Sequence, residues 1–129
     1  MIVLGTHIWV WWMDESPQLS PSHTQLIQDH EQNGLGVSVI SCWEVAKLVE
    51  LGRLGFEDSI EAWMEQATIY PGIELLPLTP QIVIESTKLP GTFHRDPADQ
   101  IIVATARVYH FPLLTADRLI LDYPHVHTL

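Results

Sequence analysis

Four carboxylates stand where the sequence reads as the start of a helix. Glu44 falls in Ser41-Cys42-Trp43-Glu44, Asp96 and Asp99 in Asp96-Pro97-Ala98-Asp99, and Asp117 follows Thr115-Ala116. Like charges brought close together repel, and a shared divalent cation is the usual remedy. Oxygen ligands that leave coordination positions open suit Mg²⁺ or Mn²⁺, which keep several waters and bind phosphates. The chemistry implied by such a cluster is metal-assisted hydrolysis of a phosphodiester, with the cation activating water and steadying the leaving oxygen. Each acid also has a plainer role. Glu44 can complete a capping box with Ser41, Asp96 can cap a helix, Asp99 can oppose a helix macrodipole, and Asp117 can be a turn residue. The two readings separate on whether the fold gathers these side chains.

The chain alternates short strands with helices. Met1 to Leu4 is an apolar strand, and Ile8 to Met13 has helical character. His23 to Asn33 reads as a helix stopped by Gly34 and Gly36, and Val37 to Ile40, β-branched and alternating, as the second strand. Ser41 then opens a helix that Gly52 closes. Ile60, Trp63, Met64 and Ala67 follow the spacing of a core-facing helix. Ile73 to Leu76 is a strand, and Gln81 to Lys88 a helix ended by Pro90. Asp96 caps a further helix with Pro97 at its first position, running to about His110. Pro112 to Leu114 is a strand, and Val126 to Leu129 a possible edge strand. Such alternation implies one α/β domain over 1–129 with a parallel sheet covered on both faces. Ligands bind beyond the carboxyl ends of the strands in these sheets, which is where Glu44, Asp99 and Asp117 are expected.

Three segments resemble a known family. Ser41-Cys-Trp-Glu44-Val-Ala-Lys-Leu-Val-Glu-Leu-Gly-Arg-Leu54 is similar to the region around the second acid of PIN-domain toxins of the VapC type. Leu89-Pro-Gly-Thr-Phe-His-Arg-Asp96-Pro-Ala-Asp99-Gln-Ile-Ile-Val-Ala-Thr-Ala106 resembles their third-acid motif, and Pro112-Leu-Leu-Thr-Ala-Asp117 the fourth. The resemblance spans essentially the whole chain. It implies a PIN-like three-layer α/β/α fold with a central, mostly parallel sheet. It also implies an Mg²⁺- or Mn²⁺-dependent endoribonuclease, neutralised by a VapB-type antitoxin whose tail enters the active-site groove, and a homodimer. Carried over residue by residue, Glu44, Asp99 and Asp117 form the metal site and Asp96 supports it. Thr6, Arg95 and Thr115 are candidates for contact with RNA.

The chain departs from the family at one place. Where the family has an aspartate at the end of the first strand, this sequence reads Val3-Leu4-Gly5-Thr6-His7. Gly5 offers a cation no side chain, and a hard cation draws much of its affinity from ligand charge. The expectation is an inactive or impaired nuclease. The alternative is a non-catalytic PIN-like module that binds antitoxin or RNA without cutting.

Composition narrows the field further. The 129 residues are 47% hydrophobic and 17% charged, which excludes disorder, and no apolar run approaches a membrane span. Six basic against sixteen acidic residues give −10, which excludes a large basic patch for nonspecific nucleic-acid binding. A start without basic flank or cleavage site argues against a signal peptide, and a lone Cys42 points to the cytosol. There is neither a G-x-S-x-G elbow nor a G-x-x-x-x-G-K loop. Gly5 removes the acid a phosphoaspartyl enzyme needs, and the only lysines, Lys47 and Lys88, leave a receiver domain without its late lysine. On α-helical spacing Ile8, Trp11 and Trp12 share one face and Trp9 and Met13 another, so one face is core and the other partly covered or a protein contact. His125 and His127 read as surface residues, Cys42 as a packing residue, and Arg53, Arg95 and Arg118 as possible phosphate guides or ion-pair partners.

Overall fold

The computed structural model describes residues 1–129. Four strands, β1 (Ile2–Leu4), β2 (Leu35–Ser38), β3 (Ile73–Leu76) and β4 (Leu113–Leu114), form one sheet in the order β3-β2-β1-β4. All three pairings are parallel, with Val3 opposite Gly36 on one side and Leu113 on the other. Residues alternate across a strand, and β1 shows it: Ile2 and Leu4 belong to one apolar cluster and Val3 to another. The first cluster takes Ile8, Trp9 and Val10 of α1 (Thr6–Met13), Ile27 of α2 (Pro21–His30), Val45 of α3 (Val39–Glu50), and Trp63 and Ala67 of α4 (Ile60–Ile69). The second takes Ile102, Val103 and Ala106 of α6 (Pro97–Tyr109) and Ile120 of α7 (Arg118–Leu121). Helix α5 (Pro80–Ser86) packs on α6. The result is the expected three-layer α/β/α arrangement. None of its helices is long and apolar enough to cross a membrane.

The boundaries around the second strand differ from the sequence expectation. β2 begins at Leu35 and ends at Ser38, two residues before the Val37–Ile40 segment. Gly36, expected as a stop of the preceding helix, is instead a strand residue with little room for a side chain. A Cβ there would stand 2.7 Å from Leu76 Cδ1 and 3.3 Å from the Ile2 carbonyl. Helix α3 consequently starts early, and Ser38 rather than Ser41 caps it by accepting from Ile40 N at 3.2 Å. The Ser41–Glu44 capping box does not form.

Other edges move as well. Ser20 caps α2, which ends at His30 and passes through a 3₁₀ turn at Glu31–Asn33. α6 stops where His110 adopts a left-handed φ of 58°. The C-terminal segment reaches the sheet by a single parallel bridge, Leu113 to Thr128, rather than by a strand. α1 buries neighbours from both supposed faces, Ile8 and Trp9, because it is wedged between β1 and α4. Trp9 Nε1 donates to the Ala67 carbonyl at 3.2 Å, which satisfies the one polar atom that burial would orphan.

Candidate active site

The parallel sheet brings the carboxyl ends of β1, β2 and β4 to one rim, and each continues there into a helix or a capped turn. Gly5 follows β1 directly and donates its N–H to the Leu114 carbonyl at 2.8 Å. It occupies the N-cap of α1 at φ −63° and ψ 160°, with no side chain to cap the helix. Thr6, the first residue of α1, is buried. Its Oγ1 lies 2.9 Å from Ser41 Oγ and 2.5 Å from Glu44 Oε1. A carboxylate only accepts and Thr6 has one proton, so that proton goes to Glu44. Glu44 lies along α3 rather than in its first turn, and Thr6 fixes its carboxylate from the neighbouring helix.

Asp96 and Asp99 divide the start of α6 between them. The Asp96 carboxylate accepts from Ala98 N at 2.9 Å and from Asp99 N at 3.1 Å, and Pro97 fills the first helical position. Asp99, one turn in, is then turned toward the rim. Asp117 accepts from Leu119 N at 2.8 Å and so caps α7, while its own N–H donates to Thr115 Oγ1 at 3.0 Å. The plainer capping role of Asp96 is therefore real, Asp117 proves to be a cap rather than only a turn residue, and each leaves a second carboxylate oxygen beyond the one that caps.

These residues face a single cavity of about 410 Å³ whose lining includes Gly5, Thr6, Glu44, Asp96, Asp99, Thr115 and Asp117. Trp11 and the exposed His7 lie along its wall, their rings 5.8 Å apart. Single oxygens of Glu44, Asp96 and Asp99 come within 4.8 Å of one another, and so do ligand atoms of His94, Asp99 and Asp117. Asp99 carries the electrostatic consequence. Burial first, then the carboxylates of Asp96, Asp117 and Glu44, and a hydrogen bond with Asp117, push it up to about 7. A carboxyl held that far up by its neighbours is one that a divalent cation would relieve, so the donor set fits a hard cation.

Two residues change standing. Arg95, exposed and next to Asp96, makes no ion pair, whereas Arg118 pairs with Asp122 at 3.5 Å. His94 is the residue that the sequence reading passes over. Its Nε2 stands 3.1 Å from Asp99 Oδ2. The signal was its place five residues before Asp99, across the Asp96-Pro97 corner that turns the chain back on itself.

A parallel α/β sandwich with carboxylates from α3, the start of α6 and the end of β4 gathered at one sheet rim defines the class. The chain belongs to the PIN-domain family, whose model matches residues 2–126. It is 31% identical over 124 residues to Ribonuclease VapC22 of Mycobacterium tuberculosis, a match covering 96% of this chain and 92% of that relative. Its fold is that of VapBC2 from Rickettsia felis bound to a promoter DNA fragment, with a TM-score of 0.73 at 15% identity, covering 100% of this chain and 98% of the other. FitAcB from Neisseria gonorrhoeae gives a TM-score of 0.72 at 18% identity, covering 100% and 96%.

Proposed function

We propose that this chain is a toxin of the VapC type, built as a divalent-metal-dependent endoribonuclease and impaired in that activity by Gly5. The observation that carries the reading is the convergence of Glu44, Asp99 and Asp117 on one cavity with Asp96 beside them. Glu44, Asp99 and Asp117 would hold Mg²⁺ or Mn²⁺ there. When bound, that ion supplies an activated water and charge stabilisation at the leaving oxygen. Around it, Thr6 keeps the Glu44 carboxylate in one orientation. Asp96 sets the start of α6 and with it the position of Asp99. Thr115 steadies the turn that presents Asp117. Arg95, unpaired and exposed, is free to meet an RNA phosphate. A −10 chain has little basic surface with which to hold RNA, so most phosphate affinity has to come from the bound cation.

The partners that follow are an RNA substrate, a VapB-type antitoxin filling the groove and a second copy of the chain, in the cytoplasm. A second reading, a PIN-like module that binds antitoxin or RNA without cutting, is favoured by Gly5, which leaves the rim of β1 without a carboxylate. One experiment separates the two: cleavage of a structured RNA in Mg²⁺, with EDTA controls, by the chain and by Gly5→Asp. The nuclease reading expects cleavage by the aspartate form and little or none by the chain itself. Failure of both over a broad RNA panel would favour the binding module.

A further inference from the structure

The structure assigns Trp11, with His7 beside it, to the binding of one unpaired RNA base, so that the substrate entering the cavity is a single-stranded or looped segment and not a duplex. This rests on the nuclease reading above and adds which part of the substrate is gripped. The cavity has two unlike walls. One carries the carboxylates, and no lysine or arginine lines the cavity anywhere. The other is apolar and aromatic, made of Trp11, His7 and Ile8 of α1 with Ile102 and Ile120 opposite. A phosphate that enters meets no positive side chain, and the acidic wall repels it unless a cation stands between them. A base carries no charge, so an aromatic face can hold it beside those carboxylates, and every base has such a face to offer.

The pitch of α1 places Trp11 for this. Residues four apart are neighbours on a helix surface, which brings Trp11 beside His7, the ring planes inclined at 53°. His7 is exposed and Trp11 half-buried, whereas Trp9 is fully buried in the core. The indole N–H groups differ in the same sense. Trp9 donates to the Ala67 carbonyl and Trp63 to Asp14 at 2.8 Å, while that of Trp11 has no partner within the chain and is not shut away from solvent. A tryptophan with an apolar body and a free polar tip suits a ligand site better than a core. Size sets the class of substrate. At about 410 Å³ the cavity lies near the lower end of the roughly 300–1,000 Å³ typical of small-ligand sites, which admits one nucleotide and excludes a paired helix. Bases in a duplex are already stacked on both faces, whereas those of loops and ends can splay out onto an aromatic ring.

The test is a binding and crosslinking experiment that needs no turnover. The probe is a pool of short single-stranded RNAs of randomised sequence, each with one 5-iodouridine, which joins on illumination to an aromatic ring stacked against it. Binding is measured in Mg²⁺ and in EDTA for the chain, for Trp11→Leu, which keeps apolar bulk without an aromatic face, and for Trp11→Tyr, which keeps the face. The crosslink is mapped on the unaltered chain, so the result stands even where a variant folds poorly. The expected crosslink is at Trp11. Trp11→Leu should bind about 5- to 150-fold more weakly, the loss of one stacked base, Trp11→Tyr should lose less, and the annealed duplex should bind more weakly than the single strands. A crosslink elsewhere, unchanged binding by Trp11→Leu, or a duplex bound as tightly as the single strands overturns the assignment. If that binding is still released by EDTA, the metal-dependent site stands and the aromatic wall belongs to a protein partner. A Trp11 crosslink indifferent to EDTA keeps the base subsite and sinks the metal-dependent reading. RNA neither held by the chain nor held or cut by Gly5→Asp overturns both.

Discussion

Asp99 is the residue on which the rim electrostatics concentrate. Folded, it keeps its proton up to about 7, whereas an unfolded aspartate loses it near 3.8. Between those values the folded chain binds more protons than the unfolded one, so this group's contribution to stability falls as pH rises across the window. Asp99→Asn removes that loss. In EDTA, the variant should gain thermal stability relative to the parent between about pH 4.5 and about pH 7.5, a comparison that cancels the other titrating groups. A gap that does not change with pH would mean that Asp99 titrates normally. Thr6 is the second residue with a measurable stake. Thr6→Val strips the Glu44 carboxylate of its donor and is expected to cost about 1.5–3 kcal/mol in denaturant unfolding, the range for hydrogen bonds to charged groups.

Asp96, Asp99 and Asp117 were legible in the sequence because Asp96-Pro97 announces a cap and Asp117 follows a short apolar strand, whereas Glu44 was picked out by a capping box that does not form. The hydrogen bond from Thr6 to Glu44 was not legible, since it joins residues 38 apart through two helices that meet only in the fold. His94 was missed for a related reason, because its meaning depends on a turn that brings its ring over Asp99.

At the scale of elements, the short strands explain both the success and the error. Parallel strands buried on both faces read as apolar runs, so β1 and β4 were found near their true places, and the half-exposed edge strand β3 was found at Ile73–Leu76 as well. β2 was displaced by two residues because Gly34 and Gly36 read as the stop of the preceding helix, whereas packing puts Gly36 inside the strand. The shift has consequences for the site. It makes Ser38 the cap of α3 and leaves Ser41 free to meet Thr6. Gly36→Ala places a methyl against Leu76 and the Ile2 carbonyl and should destabilise the chain by about 1–3 kcal/mol, as overpacked sites do. The unresolved question of the tryptophan faces has a geometric answer, since α1 is covered on two sides. Trp9→Ala should cost about 3–5 kcal/mol in the same measurement, because the ring is fully buried and its N–H is satisfied.

Taken whole, the molecule is a PIN domain with three of its rim segments equipped with carboxylates and the fourth, at the end of β1, left bare. Gly5 is not there for backbone reasons. Its φ of −63° is open to any residue, and the nearest neighbours of an added Cβ are the Leu114 carbonyl, at 3.3 Å, and Thr115, at 3.5 Å. A Cβ there asks its neighbours to give by a few tenths of an ångström, and an aspartate would stand at the N-cap of α1, which has no side-chain cap. In the absence of metal, a further carboxylate beside Asp99 raises the repulsion, so Gly5→Asp should melt lower in EDTA and gain more from Mg²⁺ than the parent does. The most direct test of an otherwise assembled site lacking one ligand is calorimetric titration of Mg²⁺ into the chain, Gly5→Asp and Asp99→Asn side by side. Gly5→Asp should bind one ion at least about ten-fold more tightly than the chain, and Asp99→Asn more weakly than either. Equal affinity in the chain and Gly5→Asp would mean that position 5 is not the missing ligand, and the impaired-nuclease reading would fall with it.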